Sequence, residues 1–371
     1  MKRVALWGTG VWGRKAFQKC CNLDGYEVVT WCDSNVDKQK EIIENIPVIS
    51  PEKAKERYEE NEIDMMVIAV SVYKIRGIYL RAVELGFETV YIIPDYVFRE
   101  EISDGIIFRE LNCKKPLLDY YEFHITDHCN LNCKGCGHVS NICQPYFADL
   151  DEYVRDINQI KKLYSGCIMV KLLGGEPLLN PQLPEFIKKT REIFPECDLR
   201  IGTNGLLISR MDNKLFEVMR NTHAYFFISA YPPIEKMKDK ITACCEKNRV
   251  KVEFSDKIEK FNKKLYLEKK FNKEEAYKRC KEENWYCFTL REGRISPCTT
   301  FYFRKLNNFF DAGFEITSED DFDIYQIEDA WMLDRLLHSP IPFCEYCGTP
   351  QEFCWEAGKV ENVTLDDYVI R

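Results

Sequence analysis

His128-Cys129-Asn130-Leu131-Asn132-Cys133-Lys134-Gly135-Cys136 places three cysteines within eight residues, in the spacing C-x₃-C-x₂-C. A single loop with this spacing can offer three thiolates to three corners of a cubane iron–sulfur cluster, for which thiolate is the usual ligand. Three ligands for four irons leave one corner open to a small chelating molecule. The competing reading is a tetrahedral zinc site with His128 or His138 as the fourth ligand.

Working outward, the loop follows a strand-like run, Glu122–Thr126, and opens a series in which strands alternate with helices. The further strand candidates are Ile168–Leu173, Asp198–Ile201, Tyr225–Ser229 and Val250–Phe254. Between them the 3.6-residue period marks helices at Leu150–Leu163, Leu183–Ile193, Asp212–Arg220 and Ile234–Lys247. Such a series predicts a full or partial (β/α) barrel over residues 118–265, with its chemistry where strands run into loops. Leu172-Leu173-Gly174-Gly175-Glu176-Pro177 ends the second strand, Ile201-Gly202-Thr203-Asn204-Gly205 the third and Phe227-Ile228-Ser229 the fourth. Taken alone, the first of these reads equally well as a strand-to-helix turn with Pro177 at the helix start. Thr-Asn-Gly is an ordinary turn sequence.

Residues 1–97 read as a smaller α/β unit with strands at Arg3–Trp7, Glu27–Trp31, Met65–Val70 and Thr89–Ile93, and a helix at Tyr73–Leu85. Gly8-Thr9-Gly10-Val11-Trp12-Gly13 lies between the first strand and a helix, and Asp33 ends the next strand. In that context Gly8, Gly10 and Gly13 can seat a phosphate at a helix N-terminus while Asp33 receives ribose hydroxyls. Three readings stand for this unit: a nucleotide seat (for example that of a nucleotide-linked sugar), an NAD site completed from elsewhere, or a packing module. Ile102-Ser103-Asp104-Gly105 and Lys114-Lys115-Pro116 fall in a segment, 98–117, that suits a linker.

Bulk composition narrows the class. Hydrophobic residues make up 45% of the 371-residue chain, enough for two or three cores. A net charge of −8 argues against a protein that binds nucleic acid by neutralising phosphates. The lysine-rich stretch Lys247–Lys281 is interleaved with glutamates and reads as a solvated face. No apolar run approaches the roughly 20 residues of a membrane helix, and the N-terminus carries no secretory pattern. A cytoplasmic protein is the expectation. Its 18 cysteines then point to metal ligation, because a reducing compartment does not sustain disulfides. Cys20, Cys21, Cys32, Cys167, Cys197, Cys244 and Cys245 sit where cysteine acts as a small hydrophobe.

With the cysteine loop, Gly-Gly-Glu-Pro, Asn204 and Ser229 at successive strand ends, residues 118–255 resemble the radical S-adenosylmethionine (radical SAM) superfamily. The resemblance implies a [4Fe–4S] cluster on Cys129, Cys133 and Cys136. It implies an S-adenosylmethionine site at Gly174, Gly175, Glu176, Asn204 and Ser229, with Glu176 receiving the methionine ammonium. Family members place an aromatic residue before the third cysteine; here it is Gly135. The implied chemistry is reductive cleavage of S-adenosylmethionine to a 5′-deoxyadenosyl radical that takes a hydrogen atom from substrate. The cofactor carries the hard step and the protein positions one C–H bond, so no general base is demanded of the sequence.

A second group of cysteines lies in residues 266–371. Twelve residues separate Cys280 from Gly293 and four separate Gly293 from Cys298, across a hairpin at Leu290–Ile295. Cys344 and Cys347 follow as C-x₂-C. This resembles the one-cluster twitch form of the twitch and SPASM extensions of radical SAM enzymes. The resemblance implies an auxiliary [4Fe–4S] cluster on Cys280, Cys298, Cys344 and Cys347, with Cys287 and Cys354 as alternates. A Cys₄ zinc ribbon is the other reading. The whole is an α/β chain of three parts: Rossmann-like unit, radical SAM barrel and twitch-like region. The leading expectation is oxidation of a small polar metabolite, sugar or nucleotide-linked sugar, with flavodoxin or ferredoxin as electron donor and no nucleic acid or membrane partner. A peptide-modifying maturase and a zinc-binding interaction protein are the alternatives.

Overall fold

The computed structural model describes residues 1–99, 107–283, 288–358 and 360–371. They form two compact units. The first comprises Met1–Asp119 together with Lys161–Met169 and Phe194–Asp198, and the second the remainder.

In the first unit, β1 (Lys2–Trp7) is followed by α1 (Val11–Cys21), β2 (Tyr26–Cys32), β3 (Ile42–Ile43), β4 (Ile46–Ile49), α2 (Pro51–Glu59), β5 (Met65–Ile68), α3 (Ile75–Glu84), β6 (Thr89–Ile92) and β7 (Arg109–Asn112). Local chemistry starts α2: the Ser50 hydroxyl accepts from the Lys53 amide and Pro51 holds the first helical position. The strand order is β3-β4-β2-β1-β5-β6-β7, and β1 runs parallel to both β2 and β5. Its interior is apolar: Val4, Leu6, Trp31, Val67 and Ala16 are buried in one cluster. The order reverses direction at β1 and β5, the position at which open α/β sheets leave a crevice. The linker reading of 98–117 is corrected over 107–117, residues 100–106 lying outside the described residues. Arg109–Asn112 pairs antiparallel with β6 as the sheet edge, and the Tyr79 hydroxyl bonds the carbonyls of Asn112 and Lys115. A four-residue strand with one buried apolar residue, Leu111, carries no readable alternation.

Beyond β7 the chain forms β8 (Leu118–Thr126), α4 (Leu150–Leu163), β9 (Cys167–Gly174), α5 (Leu183–Ile193), β10 (Asp198–Thr203), α6 (Asn213–Thr222), β11 (Tyr225–Ile228), α7 (Pro232–Glu235), α8 (Lys238–Lys247) and β12 (Val252–Phe254). The helix expected over Ile234–Lys247 is thus two helices, with the chain re-entering at Lys238. After β13 (Lys260–Tyr266) and α9 (Lys273–Glu283) come β14 (Thr289–Arg291), β15 (Arg294–Ser296), α10 (Thr300–Phe310), β16 (Phe322–Asp323), α11 (Ala330–Leu337), β17 (Cys347–Cys354) and β18 (Val369–Ile370). The large sheet has the order β12-β11-β10-β9-β8-β14-β15-β16, and a small sheet the order β17-β13-β18. The hairpin β14–β15 therefore extends the barrel sheet, with β14 parallel to β8, rather than opening a separate domain at 266. All nine residues of β8 are buried, four of them polar: Asp119, Glu122, His124 and Thr126. A fully covered central strand ordinarily reads as an apolar run, so its polar positions call for partners.

Candidate active site

The C-terminal ends of β8, β9, β10 and β11 and the loop after β8 enclose one cavity. Cys129, Cys133, Cys136, Gly174, Gly175, Asn204 and Ser229 all line it, joined by His138, Lys171 and Tyr231. Of the residues expected to hold S-adenosylmethionine, only Glu176 does not. Its carboxylate is fully buried and accepts from the Thr203 hydroxyl (2.6 Å), the Asn204 amide (2.9 Å) and the Leu178 amide (3.0 Å). Burial raises it to about 7 against those donors. Glu176 ties the ends of β9 and β10 together and positions Asn204; its oxygens are committed to the protein.

The two glycines have a packing reason as well. A Cβ on Gly174 would overlap the Thr126 carbonyl, and one on Gly175 the His128 carbonyl. At those points the Gly175 amide bonds Thr126 O (2.9 Å) and the Glu176 amide bonds His128 O (3.1 Å). The glycines thereby press the end of β9 onto the root of the cysteine loop. Asn204 reaches the same loop: its side-chain amide donates to Asn130 Oδ1 (2.8 Å) and lies 3.7 Å from Cys129 Sγ.

Sequence reasoning missed the segment that covers the loop from the other side. The Trp355 indole N–H donates to Cys133 Sγ at 3.2 Å, and its ring stacks on Tyr231 at 5.4 Å. Cys133 bridges to Ala357, the Lys134 amide bonds Glu356 O, and the Gly358 amide bonds Asn132 O. Gly135, at φ +60°, has Phe353 Cζ 2.6 Å from where a Cβ would stand. The family's aromatic residue is therefore absent from the loop at a place where β17 brings its own. The signal available in the sequence was the cluster Phe353-Cys354-Trp355.

Burial pushes the thiols of Cys129 and Cys133 up to about 12 and raises Cys136. Metal binding must then displace their protons, as is usual for thiolate sites. Three thiols facing one cavity, with neighbouring N–H donors, fit a cluster that keeps one corner for a ligand.

The second cysteine group also converges. Cys280 on α9, Cys298 after β15, Cys344 before β17 and Cys347 at its start line a cavity of about 280 Å³, whose wall includes Cys136 and His138. Lys264 Nζ donates to Cys280 Sγ at 3.2 Å. Its burial favours the neutral amine, but the surrounding sulfurs outweigh this and raise it. Burial holds Cys344 at about 12 and raises Cys298 and Cys347. Cys354 is exposed at the far end of β17 and away from this cavity, because six residues of strand separate it from Cys347. Cys287 lies outside the described residues. Of the cysteines read as packing residues, Cys20, Cys32, Cys167, Cys197 and Cys245 are buried, whereas Cys21 is exposed and Cys244 half-buried.

In the first unit the glycine loop is shaped as its motif requires. Gly8 is at φ +127° with Ala69 O 2.6 Å from a would-be Cβ, and a Cβ on Gly13 would overlap the Gly8 carbonyl. Gly10 caps α1 with open space around it. Asp33 differs from the expectation. Its Oδ2 accepts from the Thr9 amide (3.1 Å) and hydroxyl (2.6 Å), and its Oδ1 from the Asn35 amide (2.9 Å). The carboxylate clamps the glycine loop.

A three-thiol loop at the mouth of a β/α barrel, beside a cavity walled by the next three strand ends, defines an enzyme that binds a small molecule at an iron–sulfur cluster. The sequence model of the Radical SAM superfamily matches residues 123–264. Those residues form a radical SAM domain, and S-adenosylmethionine and a [4Fe–4S] cluster are the cofactors of that superfamily. It is similar to GTP 3′,8-cyclase of Limosilactobacillus fermentum, 34% identical over 106 residues that cover 27% of this chain and 31% of that protein. It is also similar to GTP 3′,8-cyclase of Clostridium perfringens, 29% identical over 165 residues that cover 41% and 50% respectively. The chain thus spans about a third of the length of the first of these cyclases. Among solved structures, BtrN in complex with AdoMet and 2-DOIA matches 63% of this chain and 94% of its own at 17% identity, with a TM-score of 0.39. UDP-D-quinovosamine 4-dehydrogenase from Vibrio fischeri matches 30% of this chain and 93% of its own at 19% identity, with a TM-score of 0.25. Among the described residues no helix is long and apolar enough to cross a membrane.

Proposed function

We propose that this enzyme oxidises a small polar substrate, a sugar or nucleotide-linked sugar, by hydrogen-atom abstraction, and that Cys280, Cys298, Cys344 and Cys347 hold an auxiliary [4Fe–4S] cluster. The observation that carries the reading is the cavity whose wall joins those four thiols to Cys136 and His138 of the cysteine loop. A redox centre so close to the radical site suits removal of a second electron from substrate. S-adenosylmethionine bound with the [4Fe–4S] cluster supplies the hydrogen-abstracting radical.

The chain's own residues then divide the work. Cys129, Cys133 and Cys136 ligate; Gly174, Gly175, Asn204 and Ser229 line the cofactor cavity; Glu176 fixes Asn204. Tyr231 lines the cavity, and Trp355, stacked on it, donates to Cys133 Sγ. Lys264 keeps a positive charge against the auxiliary thiolates. In the first unit, Gly8, Gly10 and Gly13 offer a phosphate seat, with Asp33 holding the loop in shape. The curated relatives are named for a reaction of GTP, which agrees with a nucleotide-bearing substrate, although the similarity covers only part of the chain. A low-potential donor such as flavodoxin or ferredoxin and a cytoplasmic setting complete the reading.

The test is metal and product analysis of protein purified without oxygen. Two four-iron clusters give about eight iron and eight sulfide per chain. Oxidation of a nucleotide sugar appears as a product two mass units lighter, formed in step with 5′-deoxyadenosine. Four iron with one zinc on the second cysteine group would remove the electron acceptor and the oxidation with it.

A further inference from the structure

The interior of the barrel holds a polar group, Glu122, His124 and His138, to which the proposed function gives no chemical role. Glu122 and His124 lie two apart on β8 and so face the same side; His138 follows the cysteine loop. One ligand atom from each of the three falls within 4.8 Å of the others. His124 is fully buried, and neither ring nitrogen has a hydrogen-bond partner. Glu122 Oε1 is 3.9 Å from His124 Nε2, beyond hydrogen-bonding reach. The His124 ring is held between Tyr302, stacked at 3.9 Å, and the edge of His138 at 4.6 Å. Tyr302 is itself buried with its hydroxyl unpartnered. A buried imidazole without a partner is costly, and native structures almost always give such a group something to bind.

We propose that Glu122, His124 and His138 bind one divalent first-row transition-metal ion inside the barrel, beside the S-adenosylmethionine cavity. Two imidazoles and a carboxylate suit zinc, iron or manganese in preference to calcium or magnesium. Three protein donors leave a coordination position open, the pattern of catalytic zinc rather than of closed structural sites. His138 also lines the S-adenosylmethionine cavity, so the open position is next to where a substrate oxygen would sit. The ion would polarise that oxygen and fix the orientation of the reacting carbon.

The experiment uses the full-length protein, purified without oxygen, loaded with iron and sulfide, equilibrated with Zn²⁺ and desalted. Elemental analysis is expected to find one zinc per chain beyond the cluster iron. X-ray absorption at the zinc edge should show nitrogen and oxygen neighbours only, at about 2.0–2.1 Å. Glu122→Gln and His124→Gln should each lose the zinc while iron and sulfide stay at the wild-type value. Glu122→Gln preserves side-chain volume and decides the matter if His124→Gln fails to fold. The proposal is overturned if the wild type takes up no zinc, if zinc survives in Glu122→Gln, or if sulfur appears in the zinc coordination shell.

Discussion

The two cysteine groups solve the same chemical problem by opposite routes. Cys129, Cys133 and Cys136 come from one loop, so their geometry is set by eight residues of chain and by the bonds from the Gly175 and Glu176 amides to the Thr126 and His128 carbonyls. Cys280, Cys298, Cys344 and Cys347 come from a helix, a hairpin exit and a short turn, so their geometry exists only when α9, β15 and β17 have packed. The first group has three thiols and N–H donors from Trp355 and Asn204; the second has four thiols and the ammonium of Lys264. Under the proposed function, the local group with its empty corner holds a reactant, whereas the assembled group with four thiols holds a cluster alone.

The comparison breaks most sharply at the thiols. Cys133→Ala is expected to abolish 5′-deoxyadenosine formation under reductant, measured by chromatography of quenched reactions; retained cleavage would place the reactive cluster elsewhere. Cys344→Ala is expected to lose about half the iron and all oxidised product while S-adenosylmethionine is still cleaved without coupling. If that variant still made product at the wild-type rate, the second group would have no part in the oxidation.

Glu176 sharpens the first half through pH. Its folded value of about 7 exceeds the ordinary value near 4.5, so the folded state binds more protons between those limits. Stability of the cofactor-free protein must then fall as pH rises from about 4.5 to 7, by on the order of 3 kcal/mol from this group. Unfolding curves across that range should be flatter in Glu176→Gln; an unchanged slope would show that the carboxyl is not buried as described. Gly135→Ala tests the covering segment. It forces a side chain to φ +60° and against Phe353, costing about 2 kcal/mol. Phe353→Ala should recover part of this in a double-mutant cycle, and strict additivity would deny the contact.

The smallest effect is electronic. Trp355→Phe removes a hydrogen bond to Cys133 sulfur, and fewer such bonds favour the oxidised cluster. The midpoint potential should fall by on the order of tens of millivolts in an EPR-monitored titration. An unchanged potential would leave Trp355 with packing alone.

Much of this was legible in the sequence because it is local. The three-cysteine loop, the glycine pair and the alternation of strands with helices are properties of short windows, and those windows folded as read. What escaped depends on distant segments. Nothing around Trp355 announces that its N–H meets a sulfur 222 positions earlier, and Arg109–Asn112 is a strand only because β6 offers it an edge. The family resemblance assigns Glu176 to the methionine ammonium, but its direction is set by Thr203 and Asn204, a tertiary detail. The polar residues of β8 carry no signal in the sequence, and only the packing of His138 and Tyr302 against His124 gives Glu122 and His124 a shared place.

The measurement closest to the central claim is EPR of the dithionite-reduced Cys344→Ala protein, in which the loop cluster alone should remain. Adding S-adenosylmethionine is expected to shift its g values, because the cofactor takes the iron that no protein side chain holds. Unchanged g values, with a fourth protein ligand on that iron, would contradict the account.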